Sequence, residues 1–503
     1  MVFPFRRLYQ KGTLLLLAVS VSPLLAQSRQ APVRSFPSLD PEGQALAFNR
    51  LAQSGNYTWK DLADIALWSS QAGERLGMGP DGPSARELLL QAAQGLQAGF
   101  PENPKEGGAR LLAYIHGQYL KSYAPHQTLL DTLLVTGRYN CVSSAVFYAI
   151  LAASAGLEVQ GVITRDHAFV SLHAGGEAVD VETTNAYGYD PGNRREFQNA
   201  FGKTTGFTYV PARNYRDRAA ISALELVSLI LSNRIAEAES QRRYAGALTL
   251  AVNRDALLAG RREAVSSPFF RDPRADLLDR IFNYTASLIQ AGAEQDALAW
   301  MDIAQARYPE DPRWEEAAHS AVNNLLVKLL RSQRYGEART VLAQNARRLT
   351  EQARRELEIQ TVDAEFLFRA GKITSPQGAE QLLGDLETAL ASGQLPKNRG
   401  EALRTFILLK EGERAAESGG FAGGIRYLEG AIARYGANIR MEEALRVYQA
   451  NRIAELHNRF AGLFNQRDYA GARRLILAAL EEFPENRRLQ SDLQTLERTL
   501  GGR

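Results

Sequence analysis

One phrase recurs through the second half of the chain and limits what that half can fold into. An aromatic residue, or a residue in its place, is followed three positions later by a small residue, as in "RYGEARTVLA". Six copies align in steps of 50, 41, 41, 45 and 48 residues, at Tyr244, Glu294, Tyr335, Pro376, Phe421 and Tyr469. Each step has room for one helical hairpin, and hairpins stack because one alone cannot bury its apolar face. We therefore expect an all-α helical-hairpin domain over residues 219–503.

The pattern aromatic-x-x-Ala-x-x-x-Leu resembles the second helix of tetratricopeptide repeats, in which small residues let paired helices approach. The steps are longer than the standard repeat of about 34 residues and they vary. Another α-solenoid or an irregular helical domain is therefore the alternative. The aromatic and alanine positions are core residues first, and a groove that recruits a protein partner is a second inference from the resemblance.

The first 26 residues, "MVFPFRRLYQKGTLLLLAVSVSPLLA", place three basic residues before a short apolar run that ends in a small residue. This order is typical of a secretory signal peptide, and we predict cleavage after Ala26. An uncleaved membrane anchor is the alternative, although the run has only about 14 residues and a spanning helix needs about 20. We expect an exported protein, periplasmic or secreted, with no membrane span after cleavage.

Loss of that segment removes the basic excess of the chain. The full sequence has 59 Lys and Arg against 56 Asp and Glu, and the segment holds three basic and no acidic residues, which leaves 56 against 56. A net charge near zero without a clustered basic face argues against nucleic acid as a partner.

Residues 39–215 have a different texture and contain the candidate chemistry. Helical patterns come first, and from Leu157 to Thr184 the chain becomes β-like in "LEVQGVIT", "HAFVSLH" and "EAVDVETT". Just before these strands, Asn140 is a candidate N-cap for a helix that begins at Cys141, the single cysteine of the chain. The unpaired N–H groups and the dipole at a helix N-terminus favour a thiolate, and the same N–H groups can receive a developing oxyanion.

A nucleophilic cysteine needs a base, and the base needs a group that orients it. Among the six histidines, only His167 begins a strand in the compact segment that follows the cysteine helix. His116 lies in a helical pattern, where packing is the simpler interpretation. We therefore predict His167 as the base.

The third residue follows from the register of a predicted hairpin. A two-residue turn at positions 175–176 places His167 on the same face as Asp180 and Glu182. Glu182 is then the diagonal neighbour of His167, roughly 7–8 Å away, whereas Asp180 lies about 13 Å along the strand. The register favours Glu182, and Asp180 stays the alternative.

These segments together resemble a known family. "RYNCVSSAVFYAI", "HAFVSL" and "VDVETT" are similar to the transglutaminase-like superfamily of papain-type cysteine enzymes, most closely over residues 115–184. The resemblance implies Cys141 as nucleophile, His167 as base and a carboxylate of the next strand as orienter. Glu182 stands where the family usually has Asp, and Phe169 stands where Trp is common.

The expected fold class is therefore an α+β transglutaminase-like, papain-like domain over residues 39–215, followed by the all-α, tetratricopeptide-like domain over residues 219–503. The expected function is an exported cysteine enzyme that hydrolyses or transfers amide-linked acyl groups of peptides or proteins, with cell-wall peptides among the candidate substrates. A non-catalytic, protein-binding scaffold with a degenerate cysteine domain is the rival hypothesis. We expect no cofactor, and no Cys-x-x-Cys or His-x-x-x-His pairing supports a metal site.

Overall fold

A computed structural model of the protein describes residues 35–71, 83–98, 100–192, 194–206, 218–260, 267, 269–309 and 311–501. Of these residues, 72% are helical and 6% lie in strands. The predicted signal peptide, residues 1–26, lies outside the described residues.

The predicted fold class is wrong. The molecule is a mostly-α protein with two small sheets, and not an α+β papain-like core followed by a repeat domain. The β-like texture of residues 157–184 folds into strands as expected, but these strands are short. The capped, periodic segments around them form helices, which contain many more residues than the strands do. Helix packing, and not a sheet, therefore dominates the first half as well.

Helices and short strands alternate in the first half. The described elements are α1 (Gly43–Gln53), α2 (Trp59–Gln71), α3 (Ala85–Gln97), α4 (Pro104–Gln118), β1 (Ser122–Tyr123), α5 (Leu130–Thr136), β2 (Arg138–Tyr139), α6 (Cys141–Ser154), β3 (Glu158–Ile163), β4 (Ala168–Ala174), β5 (Glu177–Val181), α7 (Arg195–Thr205) and β6 (Ala219–Ile221).

The larger sheet has the strand order β5-β4-β3-β6, and each described neighbouring pair is antiparallel. The strands β1 and β2 form a separate parallel pair of two residues each. One face of β4 is fully covered, with Val170 and Leu172 both at 0% exposure. The sheet therefore needs a helix on that face, and α6 lies there against β3 and β4.

Helix α6 is the centre of the first half. Residues from Val142 to Ala152 are buried on all sides of the helix, and Ala153 is exposed. Such an all-round apolar helix is stable only inside a protein. Contacts with α2, α4, residues 223–240 and the sheet supply that environment.

The second half is helical throughout its described part. Its elements are α8 (Ala223–Ser240), α9 (Tyr244–Leu257), α10 (Pro273–Gln290), α11 (Glu294–Arg307), α12 (Arg313–Arg331), α13 (Tyr335–Asn345), a 3-10 turn (Ala346–Arg348), α14 (Glu351–Ala370), α15 (Pro376–Ala391), α16 (Lys397–Tyr435), α17 (Ile439–Asn465), α18 (Tyr469–Glu482) and α19 (Arg487–Gly501).

The six aligned positions of the recurring phrase mark helix starts. Five of them, Tyr244, Glu294, Tyr335, Pro376 and Tyr469, are the first residues of α9, α11, α13, α15 and α18. The sixth, Phe421, follows the non-helical Gly419 and Gly420 that kink α16. Successive helices pack against each other from α8 to α19. The tetratricopeptide-like assignment itself stays a prediction.

Residues 223–233, which are mostly apolar, form the start of α8. Leu226, Ile230 and Leu231 are fully buried, and the helix packs against α2 and α6 as well as α9. Within the described residues, no helix is both long and apolar enough to cross a membrane. Strand β6 pairs with β3, so the residues just after position 218 contact the first half, and the domain boundary stays a prediction.

Candidate active site

Cys141 is the first residue of α6, as the sequence predicts. Asn140 caps the helix: its Oδ1 accepts a hydrogen bond from the Ser143 N–H at 3.0 Å, and its own N–H donates to Ser143 Oγ at 2.9 Å. Its Nδ2 also donates to the Pro125 carbonyl at 3.1 Å. Of the first N–H groups of the helix, those of Cys141 and Val142 have no acceptor within the helix or its cap, because α-helical bonding begins one turn later.

The hairpin that carries the other candidates has the predicted register. Gly175 and Gly176 have φ angles of 62° and 84°, the positive values that a two-residue hairpin turn of type I′ requires. Ala174 lies opposite Glu177, and the pairing continues in step along β4 and β5. The prediction of the register is confirmed.

His167 and Glu182 are in direct contact. His167 Nε2–H donates to Glu182 Oε2 at 2.6 Å, and the two side chains are only 11% and 3% exposed. The other carboxylate oxygen, Oε1, accepts from the N–H of Thr184 at 3.1 Å and from its hydroxyl at 2.7 Å. Glu182 is therefore held at both oxygens, and its free rotation is lost.

Cys141 lies near His167 and contributes to the raised pKa of its imidazole. Nε2 is engaged by Glu182, which leaves Nδ1 as the ring nitrogen that can interact with the thiol. Burial by itself lowers the pKa of His167, but the charge of Glu182, the nearby Cys141 and the hydrogen bond to Glu182 outweigh it and raise the pKa well above its usual range. The arrangement favours an imidazolium at His167, beside Glu182.

Asp180 lies elsewhere. It lies opposite Ser171 in the hairpin, and its carboxylate accepts two hydrogen bonds from Arg218, at 2.9 and 2.7 Å. The guanidinium also lies over the ring of Phe169, 5.4 Å from its centre. The structure thus brings together Cys141, His167 and Glu182 and gives Asp180 a different partner.

Three residues hold the segment that carries Glu182, and sequence reasoning assigned none of them to this task. His116 Nε2–H donates to the Thr183 carbonyl at 3.0 Å, and Tyr139 Oη–H donates to the Thr184 carbonyl at 3.0 Å. Ser144 Oγ and Thr183 Oγ1 are 2.9 Å apart. No local sequence signal identifies these residues, because they come from α4, β2 and α6, far from Glu182 in the chain.

Gly188 lets the loop after Glu182 close tightly. The Glu182 N–H donates to the Gly188 carbonyl at 2.7 Å, and a Cβ at position 188 would overlap with the Glu182 carbonyl oxygen. A side chain there would push the loop away from the site. The glycine in "NAYGYD" was the available sequence signal.

Aromatic rings surround the imidazole. Phe201 of α7 contacts His167 edge-on with ring centres 5.6 Å apart, and Phe169 stacks on it at 6.2 Å. Burial and the charge of Cys141 raise the pKa of Tyr123, so its phenol stays protonated. Burial and the charge of Glu182 likewise raise the pKa of Tyr139 to about 12. The rings limit water around the imidazole and strengthen its electrostatic interactions.

Within the described residues, no group of three or more His, Cys, Asp or Glu side chains is arranged to hold a metal ion. No protein-family model matches the chain, and no curated protein matches it. The functional interpretation therefore depends on the geometry of the site and on the resemblance of its residue pattern.

Proposed function

We propose that the protein is a cysteine enzyme that breaks amide bonds through a thioester, with Cys141 as nucleophile, His167 as proton donor and acceptor, and Glu182 as the group that orients His167. One observation carries the proposal: the buried imidazole of His167 is hydrogen-bonded to the fixed carboxylate of Glu182, and the only cysteine of the chain lies near enough to raise the pKa of that imidazole. A nucleophile, a base and an orienter in this order form a catalytic triad.

The proposed reaction has two steps. The thiolate of Cys141 attacks the carbonyl carbon, a C–S bond forms, and the oxygen becomes an oxyanion near the N–H groups of Cys141 and Val142. The imidazolium of His167 then gives its proton to the leaving nitrogen, and the C–N bond breaks. In the second step His167 removes a proton from water or an amine, which attacks the thioester and releases the acyl group and the thiolate.

We also propose that the substrates are peptides or proteins outside the cytoplasm and that the helices of the second half recruit a protein partner. The signal-like first 26 residues and the resemblance to transglutaminase-like enzymes support the compartment and the bond type. Hydrolysis is the simpler outcome because water is the abundant acceptor.

The test uses an activated ester because no substrate is identified. Wild-type protein is mixed with p-nitrophenyl acetate, digested and analysed by mass spectrometry. We expect an acetyl group on the peptide that contains Cys141, removable by neutral hydroxylamine as a thioester is, and its accumulation should be lost in Cys141→Ala and strongly slowed in His167→Ala. Acetyl groups on lysines alone, at equal rates in all three proteins, would favour the non-catalytic scaffold.

A further inference from the structure

His116 of α4 contacts the back of the segment that carries Glu182. We propose that His116 is a positioning residue that keeps the Glu182 carboxylate against His167 by donating a hydrogen bond to the Thr183 carbonyl. This inference deepens the proposed function and rests on it. His116 touches neither the thiol nor the reacting atoms, so its effect has to pass through Glu182.

The contact has a defined direction. A carbonyl oxygen only accepts, so the 3.0 Å contact between His116 Nε2 and Thr183 O fixes the proton on Nε2. Thr183 lies between Glu182 and Thr184, and Thr184 donates two hydrogen bonds to the Glu182 carboxylate. Movement of the Thr183 carbonyl would therefore move both the carboxylate and the residue that holds it.

The chemistry of histidine suits this task. Burial lowers the pKa of His116, against the opposing effects of the Thr183 hydrogen bond and the Glu182 charge. The ring is therefore neutral near pH 7 and donates a hydrogen bond without adding a positive charge. A cation at this position would compete with the His167 imidazolium for the charge of Glu182, whereas a neutral donor leaves that ion pair intact.

The ring of His116 also supports a second anchor. It contacts Tyr139 edge-on, with ring centres 6.0 Å apart, and Tyr139 donates to the Thr184 carbonyl at 3.0 Å. Two titratable side chains interact with His116: Glu182 through its charge and Tyr139 through the ring contact. One histidine thus acts on both carbonyls that follow Glu182.

Two substitutions of His116 distinguish the effect of its hydrogen-bond donor from the effect of its aromatic ring. His116→Phe keeps an aromatic ring beside Tyr139 and removes the N–H, whereas His116→Gln keeps a neutral N–H donor at a similar reach. His116→Met is a second variant without a donor, for use if the Phe variant does not fold. Melting temperatures of all variants report on folding.

The readout is the rate at which iodoacetamide alkylates Cys141, which is unambiguous because the chain has one cysteine. At about pH 6.5 we expect His116→Phe or His116→Met to react about tenfold more slowly than wild type, the usual effect of losing an outer-layer partner, and His116→Gln to stay within about threefold. At about pH 9.5 all variants should react alike, because any thiol is ionised there. A blocked or distorted cysteine would instead be slow at both pH values.

The outcomes separate this inference from the proposed function. If wild-type Cys141 is reactive at pH 6.5 and the variants without a donor match it, the role of His116 is refuted while the proposed function stands. If His116→Gln is as slow as His116→Phe, the hydrogen bond is not the cause and the inference fails. If wild-type Cys141 reacts as an ordinary thiol, both proposals fail together.

Discussion

Glu182 and Asp180 lie two residues apart on one side of a hairpin, and their neighbours separate their roles. Glu182 bonds to His167 and to Thr184 in a buried site, while Asp180 forms a bidentate pair with Arg218. A carboxylate that already binds a guanidinium at both oxygens has little capacity left to orient an imidazole.

The first prediction compares these two carboxylates. Glu182→Gln keeps the shape of the side chain and removes the charge that favours the His167 imidazolium, so we expect Cys141 alkylation near neutral pH to fall by about tenfold or more. Asp180→Asn is the matched control and should change the rate by less than about twofold. Equal losses in the two variants would contradict the assignment of Glu182.

The second prediction concerns stability against pH. Burial lowers the pKa of His167, but Glu182 and Cys141 raise it overall, so the imidazole in the folded protein keeps a proton that the unfolded imidazole releases above about pH 6.5. The resulting stability is fully present below that pH and is lost as the pH rises through the raised value. Denaturant unfolding at about pH 6 and about pH 10 should show the gap between wild type and Glu182→Gln shrinking with pH. A gap independent of pH would contradict the ion pair.

At this scale the sequence predicts the site only where a local rule applies. Two glycines determine the hairpin register, and the register places Glu182 beside His167. His116 follows no such rule, because its contact with Thr183 joins residues 67 positions apart, and a histidine in a helical pattern is ordinary core material. The residues that hold the triad are thus fixed by tertiary packing alone.

The start of α6 is the element on which the site depends most. The side chain of Asn140 accepts a hydrogen bond from a backbone N–H of the helix and also donates to the Pro125 carbonyl in the preceding loop. The helix N-terminus and the loop beside it are therefore held together, and Cys141 follows at the next position.

The third prediction tests this cap. Asn140→Ala removes both bonds, so we expect a loss of about 2 kcal/mol in the free energy of unfolding, at the upper end for caps, together with slower alkylation of Cys141. Ser84→Ala removes the exposed cap of α3 and is the control, with an expected loss of about 1 kcal/mol and unchanged alkylation. Thermal or denaturant unfolding with the alkylation assay checks both. A slower thiol in the Ser84 variant would show that stability alone controls the rate.

Element starts and element types differ in how well the sequence predicts them. Helix starts are marked by local sequence signals. Helix α6 begins directly after Asn140, and α9 and α13 begin at the aligned aromatic residues Tyr244 and Tyr335. The fold class was wrong because it depends on proportions: four short strands make one sheet, but helices cover most of the same segment. The proportion of helix to strand residues is determined by how the elements pack, and no single sequence motif predicts it.

The two halves of the molecule are joined by polar contacts of α1 as well as by α8. The described residues from position 37 onward form one compact unit. Asn253 of α9 exchanges two hydrogen bonds with Glu42, both at 2.9 Å, and Trp68 of α2 donates to the same carboxylate at 2.9 Å. The start of the described chain is therefore fixed to the helices of the second half.

The fourth prediction follows from this junction. Asn253→Ala removes both bonds at a buried position, and we expect about 1–3 kcal/mol of lost stability because the N–H and Oε1 of Glu42 lose their bonds to Asn253. Gln53→Ala breaks an exposed bond to the Ala259 carbonyl and should change stability by less than about 0.5 kcal/mol. Chemical unfolding of both variants is the measurement. If both variants lose similarly little free energy of unfolding, the bonds between Asn253 and Glu42 contribute little to stability.

The proposed function requires Cys141 to be a thiolate that is paired with the imidazolium of His167, which Glu182 orients. The most direct test is the pH dependence of Cys141 alkylation in the wild-type protein. An ordinary thiol with a pKa of about 8.5 reacts about 30-fold more slowly at pH 6 than at pH 7.5. The thiolate–imidazolium pair predicts that the alkylation rate of the wild-type protein changes by less than about threefold over that range. In His167→Ala the rate should change by about 30-fold, as for an ordinary thiol. A fall of about 30-fold in the wild-type protein would contradict the thiolate–imidazolium pair.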